Sequence, residues 1–162
     1  MASGNTLLTF GPGAMSQLSG ATPDARNAHP CWNFDDTTQE WVQMEGVMPR
    51  HYAGGGVTVY LHYALATATS GNMRAQTKFE RIGDGSQDLD SDGFATANSL
   101  SDTAVPATSG NVKISSIAHA NGAEMDSVAA GERFRLAVSL YSGSTSNATG
   151  DRQLVGVEIK ET

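Results

Sequence analysis

The chain has 162 residues and a formal net charge of −7, with 10 Lys and Arg against 17 Asp and Glu. This length suits one domain with a sizeable hydrophobic core. The cations are few and unclustered, which argues against a nucleic-acid partner, because such partners require a concentrated positive surface. No apolar run approaches the roughly 20 residues of a membrane span, and Met1 to Phe10 lacks the basic and apolar regions of a signal peptide. We therefore expect no nucleic-acid and no membrane partner.

Residues 1–30 are predicted to form an N-terminal arm that precedes a single β domain at residues 31–162. A short apolar segment, residues 6–10, is followed by Gly11-Pro12-Gly13 and a loose polar stretch that ends at Pro30. Within this arm we expect at most one helical turn, near residues 15–18.

Period-two alternation dominates the rest of the chain. Apolar residues alternate with polar or small ones in segments 57–67, 133–141 and 153–160. Alternation indicates half-buried strands, because successive side chains point to opposite faces of a sheet. This pattern predicts that one set of residues faces the core: Val57, Val59, Leu61, Phe134, Leu136, Val138, Val155 and Val157.

Weaker segments supply the remaining predicted strands, at residues 32–34, 39–47, 73–82, 94–100 and 112–119, the last with a bulge at Ser115-Ser116. Segments 57–67 and 73–82 are expected to pair as a hairpin, because the connection is short. About eight strands without helical periodicity predict an all-β fold, a jelly-roll-like antiparallel β-sandwich with an N-terminal extended arm. A barrel or an immunoglobulin-like sandwich is the alternative, although the Cys…Trp…Cys framework of the latter is absent.

One acidic turn partly matches a calcium-binding motif. Asp88, Asp90 and Asp92 precede Gly93 in the D-x-D-x-D-G pattern that opens an EF-hand loop. The twelfth position of such a loop requires a bidentate Glu, and Ser99 stands there instead. We therefore expect a solvated turn and no structurally required calcium.

No other group of residues predicts a catalytic, cofactor-binding or metal-binding site. The four histidines lack metal-ligand spacing and are expected at the surface or an interface: His29, His51, His62 and His119. Gly-x-Ser-x-Gly does not occur, and Asp35-Asp36 has the composition of a solvated turn. We expect no catalytic, cofactor-binding or metal residues, no cofactor and no enzymatic activity. Cys31 is predicted to be a buried thiol. Trp32 and Trp41 are predicted in the core or an interface, with stacking on a sugar as the alternative.

Several segments carry a resemblance to a known group of proteins. They are Phe34-Asp35-Asp36-Thr37, Met44 to Pro49, Gly56 to Tyr60, Lys78 to Arg81, Ala130 to Leu136 and Leu154 to Thr162. In these segments the chain resembles small jelly-roll virion proteins of tailed bacteriophages, of the capsid decoration or cement type. The resemblance covers residues 34–162. It implies a homotrimer on the outer capsid surface of the virion, bound to the major capsid protein and stabilising the shell, without catalytic residues.

Two other classes of function remain open on the same fold. Jelly rolls also serve as lectin-type domains, so a tail- or fibre-associated module that binds a receptor or carbohydrate is one alternative. A hydrolase built on a jelly roll is the other. The missing nucleophile and the missing metal set argue against it.

Overall fold

The computed structural model describes residues 4–162, which contain eleven strands and two short 3-10 turns, Pro12–Ala14 and Ala123–Met125. None of its helices is long and apolar enough to cross a membrane. The strands are β1 (Thr6–Phe10), β2 (Met15–Ser19), β3 (Thr22–Arg26), β4 (His29–Phe34), β5 (Trp41–Val47), β6 (Val57–Leu65), β7 (Asn72–Ile82), β8 (Asn98–Ala104), β9 (Lys113–His119), β10 (Arg133–Ser142) and β11 (Arg152–Glu161). The all-β fold is confirmed, with more strands than the sequence predicted.

The strands form two antiparallel sheets that pack face to face. Sheet I has the order β3–β4–β11–β6–β9, and β1 also pairs with β11. Sheet II has the order β2–β5–β10–β7–β8. Strands β4, β5, β6 and β7 therefore fall alternately into sheets I and II, so that all three connections between them cross from one layer to the other.

The core lies between the two sheets and follows the predicted alternation. On β6 the inward row begins at Val57 and ends at Leu65, and on β10 it comprises Phe134, Leu136, Val138 and Leu140, all fully buried. β-branched and aromatic side chains suit these rows because they pack well on a pleated, half-buried surface. β6 and β10 thus each present a continuous apolar row to the core between the sheets.

The register of β11 changes once along its length. It pairs with β6 on one edge, and the pairing slips between Leu154 and Gly156. A bulge of this kind inserts one residue and so reverses which side chains face inward. Leu154, Val157 and Ile159 are buried, whereas Val155 is only partly buried. The prediction that Val155 faces the core is therefore wrong, while the other seven predicted core residues are buried.

The N-terminal residues differ from the predicted arm. Residues 6–34 form four strands, with β1, β3 and β4 in sheet I and β2 in sheet II. The helical turn precedes its expected position, since Pro12–Ala14 is the 3-10 turn and Met15–Ser19 is extended. β1, β2 and β3 are short and mostly exposed, and backbone pairing attaches β1 to β11 and β2 to β5. β4 instead buries Cys31, Trp32 and Phe34. Residues 1–3 of the expected arm lie outside the described residues.

Two further local predictions are wrong. Strands β6 and β7 do not form a hairpin, because β6 pairs with β11 and β9 while β7 pairs with β10 and β8. Because β6 lies in sheet I and β7 lies in sheet II, the short connection between them crosses from one sheet to the other. The pairing of β9 with β6 runs through Ser115 and Ser116 without a shift, so the bulge expected there is absent.

His119 also departs from the expected surface position, because it is buried at the end of β9. Its Nδ1 lies 3.1 Å from the Glu124 carbonyl oxygen, and its Nε2 lies 2.7 Å from the Thr77 hydroxyl. A carbonyl only accepts, so Nδ1 carries the proton and Nε2 accepts from the hydroxyl. Burial lowers the pKa of His119 below 6.5, against an opposing effect of its contacts with Glu124.

This buried imidazole predicts a loss of stability in mild acid. The unfolded chain binds a proton at His119 as the pH falls through 6.5, whereas the folded protein does so only at a lower pH. The stabilisation is complete above pH 6.5 and falls by up to about 1.4 kcal/mol for each pH unit below it. Urea unfolding at pH 7.5 and pH 5.5 measures the change. His119→Gln should remove this part of the pH dependence, and an unchanged dependence in that variant would contradict the assignment.

Candidate functional site

The outer face of sheet II carries the richest set of partly exposed functional side chains. Because the inward rows are buried, the alternate residues of β5, β7 and β10 face outward. The strand register then places Ala137 between Gln43 and Lys78, and Arg135 between Glu45 and Glu80. Side chains from three adjacent strands therefore meet on this face.

Two small residues shape the middle of the face. Ala137 and Ser139 stand in the outward row of β10, yet both are fully buried. Larger side chains from neighbouring strands must therefore close over them, and Trp41 lies beside Ser139 because the following residue, Val42, is opposite Val138. The Ser139 hydroxyl has no hydrogen-bond partner in the described protein. Small residues at these positions allow an indole ring to lie against the sheet.

Lys78 is held between two aromatic rings. Its Nζ lies 4.1 Å from the centroid of the Trp41 ring and 4.8 Å from that of Phe94. Both distances are within the range of cation–π attraction. Burial and, to a smaller degree, repulsion from Arg135 lower the pKa of Lys78. The two rings therefore fix the position of the Lys78 ammonium group, although burial and Arg135 disfavour its charged form.

The neighbouring cation, Arg135, is paired with a buried carboxylate. Glu80 is only 2% exposed, and its Oε2 accepts hydrogen bonds from Nε of Arg135 at 2.7 Å and from Nη2. Nη1 of Arg135 donates to the Gln43 side chain at 3.1 Å, and its guanidinium also lies 4.6 Å from the Phe94 ring centroid. These contacts engage all three nitrogens of the guanidinium and place it against the Phe94 ring.

Phe94 reaches the face from the long loop between β7 and β8, residues 83–97. The loop is fixed at this point because the backbone N–H of Ala95 donates to the carbonyl of Phe79 at 2.8 Å. Phe94 stays partly exposed. We name the group Trp41, Lys78, Phe94, Arg135 and Glu80 the aromatic–cation cluster.

Polar and aromatic groups continue along the strands on both sides of the cluster. Gln39 donates to Gln76 at 2.7 Å, and Gln76 donates to the Ser99 hydroxyl at 3.0 Å. Further along β10, the Tyr141 ring lies 5.3 Å from the guanidinium of Arg74. Tyr141 is six residues from Arg135 on β10, which corresponds to about 20 Å of extended strand. The face is long enough to contact an extended ligand.

The sequence-predicted candidates are spread over the molecule. Trp32 is buried and donates from Nε1 to the Pro12 carbonyl at 3.0 Å, as expected of a core residue, whereas Trp41 lies on the outer face. Cys31 is buried, and burial raises the pKa of its thiol. In the acidic turn, the Asp88 side chain accepts the N–H of Asp90 at 3.0 Å. The structure thus brings only Trp41 to the cluster.

Two concave regions elsewhere on the molecule lack this combination of groups. A cavity of about 380 Å³ on the outer face of sheet I is lined by residues that include Arg26, His29, Val112 and Gln153, but by no Phe, Tyr or Trp. A shallow cleft of about 790 Å³ lies between the loops at residues 67–71 and 146–149, lined by hydroxyl and amide side chains. Across residues 4–162, no group of three or more His, Cys, Asp or Glu side chains is placed to hold a metal ion.

Comparisons with known proteins identify the fold. Neither a protein-family model nor a curated protein matches this sequence. Among solved structures, the chain is similar to the CBM22-1 xylan-binding domain from Paenibacillus barcinonensis, with 11% identity and a TM-score of 0.53 over 99% of this chain and 96% of that chain. It is also similar to an exo-β-1,3-galactanase from Phanerochaete chrysosporium, with 12% identity and a TM-score of 0.51 over 96% of this chain.

A third similar structure is a cycloisomaltooligosaccharide glucanotransferase from Paenibacillus sp., with 6% identity and a TM-score of 0.51 over 96% of this chain. The chain spans only 29% of the galactanase and 18% of the glucanotransferase. These likenesses show a jelly-roll β-sandwich of the kind found in carbohydrate-binding modules. They support the jelly-roll part of the resemblance to virion proteins and give no support to its bacteriophage part.

Proposed function

We propose that this chain is a carbohydrate-binding module and that the outer face of sheet II binds the glycan. The observation that carries the proposal is the aromatic–cation cluster, in which a partly exposed indole lies beside unused and charged hydrogen-bond donors. A sugar ring has an apolar C–H face and a polar rim of hydroxyls. An aromatic ring contacts the first, and amide, guanidinium and ammonium groups bind the second.

The arrangement along the sheet supports an oligosaccharide as the ligand. The amides of Gln39, Gln43 and Gln76 flank Trp41 on the same face, and their hydrogen bonds to one another and to Arg135 fix their orientation. Groups held in position before binding lose little conformational entropy when a ligand arrives. The similar structures include a xylan-binding domain and a galactanase solved with galactose, which agrees with a glycan ligand.

Trp41→Ala tests the proposal against a panel of xylan, β-1,3-galactan and isomaltooligosaccharides. We expect at least one of these glycans to bind the unmodified protein, and Trp41→Ala to weaken that binding by about tenfold or more, because it removes the stacking surface. Affinity electrophoresis and calorimetry measure the change. The matched control is Tyr60→Ala, since Tyr60 also lies beside a cation, Lys160, but on the outer face of sheet I.

Binding that Tyr60→Ala abolishes and Trp41→Ala leaves intact would move the site to the other sheet. Failure of the unmodified protein to bind any member of a broad glycan array would contradict the proposed function. Circular dichroism and thermal unfolding establish that each variant keeps the β-sandwich.

The second candidate function is the capsid-decoration role, which the resemblance over residues 34–162 implies. One structural observation favours it. Val112 and Ile114 are more than half exposed at 55% and 54% on one outward row beside β6, and an exposed apolar pair at a sheet edge suits contact with another copy. A homotrimer by light scattering that co-sediments with shells of a major capsid protein is the expected result under this hypothesis. A monomer that does not bind capsid shells would contradict it.

A further inference from the structure

Resting on the proposed function, we propose that the glycan is acidic and that Lys78 binds its anionic group, a carboxylate or a sulfate carried on the sugar chain. The aromatic–cation cluster would then distinguish an acidic oligosaccharide from the same oligosaccharide without its charge.

The first observation is that the ammonium group of Lys78 has unused donors. It can donate three hydrogen bonds, and within residues 4–162 it makes neither a hydrogen bond nor a salt bridge. The other cations of this face are engaged with carboxylates, through the pairs Arg74 with Asp102, Arg133 with Glu45 and Arg135 with Glu80. Lys78 is therefore the cation of this face that is available to a ligand.

The second observation is that Lys78 makes no hydrogen bond to the side-chain amides of Gln43 and Gln76 on this face, whose oxygens accept from other residues. The Gln43 side-chain oxygen accepts from Arg135, and the Gln76 side-chain oxygen accepts from Gln39. Lys78 instead rests between the Trp41 and Phe94 rings, which attract its charge without consuming an N–H donor.

The third observation is the local charge. Lys78 and Arg135 contribute two positive charges and Glu80 one negative charge, so the cluster carries a net charge of +1 (2 − 1), whereas the whole chain carries −7. The rings exclude water on two sides, which strengthens attraction between opposite charges. An anion bound here also removes the cost of the partly buried ammonium, whose pKa is lowered by burial and by Arg135.

The charge of the whole chain restricts the class of glycan further. A protein of net charge −7 repels densely charged polyanions at long range. The cluster has one available cation, which matches a glycan with isolated acidic groups separated by neutral sugars.

Two pairs of oligosaccharides test the inference on the full chain by calorimetry. The first pair is a xylo-oligosaccharide with one glucuronic acid branch and the same molecule with its carboxyl group reduced to an alcohol. The second is a singly sulfated galacto-oligosaccharide and its desulfated parent. We expect one acidic member to bind about tenfold more tightly than its neutral partner, as charge-assisted hydrogen bonds are stronger than neutral ones. A preference within the first pair identifies a carboxylate as the bound group, and a preference within the second pair identifies a sulfate.

Lys78→Gln removes the charge and keeps a hydrogen-bond donor. We expect this variant to lose the preference, so that its affinities for the acidic and the neutral ligand fall within about twofold of each other. Lys160→Gln is the matched control, because Lys160 lies beside Tyr60 on the other sheet, and it should retain the preference. In the unmodified protein, side-chain NMR should show that the pKa of Lys78 rises when the acidic ligand binds and stays unchanged with the neutral one.

The outcomes separate this inference from the proposed function. Equal affinity for the charged and neutral members would overturn the inference and leave carbohydrate binding in place. A preference that survives in Lys78→Gln, or a pKa of Lys78 that does not respond to the acidic ligand, would also overturn it. The absence of binding to all four oligosaccharides, and to the wider glycan panel, would overturn both.

Discussion

A carboxylate buried on the outer face of a sheet must be neutralised, and this constraint organises the candidate site. Glu80 is almost completely buried, and an isolated charge in such a place is very unfavourable. Arg135, directly opposite on β10, supplies the neutralising pair. Truncating one member of such a pair leaves the other charge uncompensated. Because Arg135 is committed to Glu80, the remaining cation of the cluster, Lys78, is left for a ligand.

The outer faces of the two sheets differ in the side chains that they carry. In sheet I, β1, β4 and β6 all pair with β11. Within residues 4–162, its outer face has no second cation held between two aromatic rings, and Tyr60 and Lys160 form an isolated pair there. Sheet II carries small residues in the outward row of its central strand and is covered in part by the loop at residues 83–97, which brings Phe94 over its surface. The outer face of sheet II therefore carries the aromatic–cation cluster, whereas that of sheet I carries a single aromatic–cation pair.

The sequence predicted the fold class because the longest strands bury one face and expose the other. β6 and β10 follow their alternation closely. Prediction failed where pairing depends on distant backbone. β1 to β3 have few buried side chains, and the bulge that moves Val155 out of the core has no local signal. The buried position of His119 likewise depends on its contact with Thr77, which lies 42 residues away in the other sheet.

The candidate site was only partly accessible to sequence reasoning. Trp32 and Trp41 both lie in apolar strands, and the sequence could not distinguish the buried indole from the partly exposed one. The position of Lys78 in the outward row of β7 follows from alternation, but its two aromatic neighbours come from β5 and from the loop that carries Phe94. The contact between side chains from these separate segments can be predicted only from the register of sheet II, which the sequence does not show.

The most direct test of the account is NMR mapping of a bound oligosaccharide on the isotope-labelled full chain. If the outer face of sheet II is the binding surface, the largest shift changes will occur at the Trp41 indole N–H, the Lys78 side chain and the Phe94 ring, with Tyr60 and His62 on sheet I unaffected. Changes confined to sheet I, or to the loops at residues 67–71 and 146–149, would contradict it.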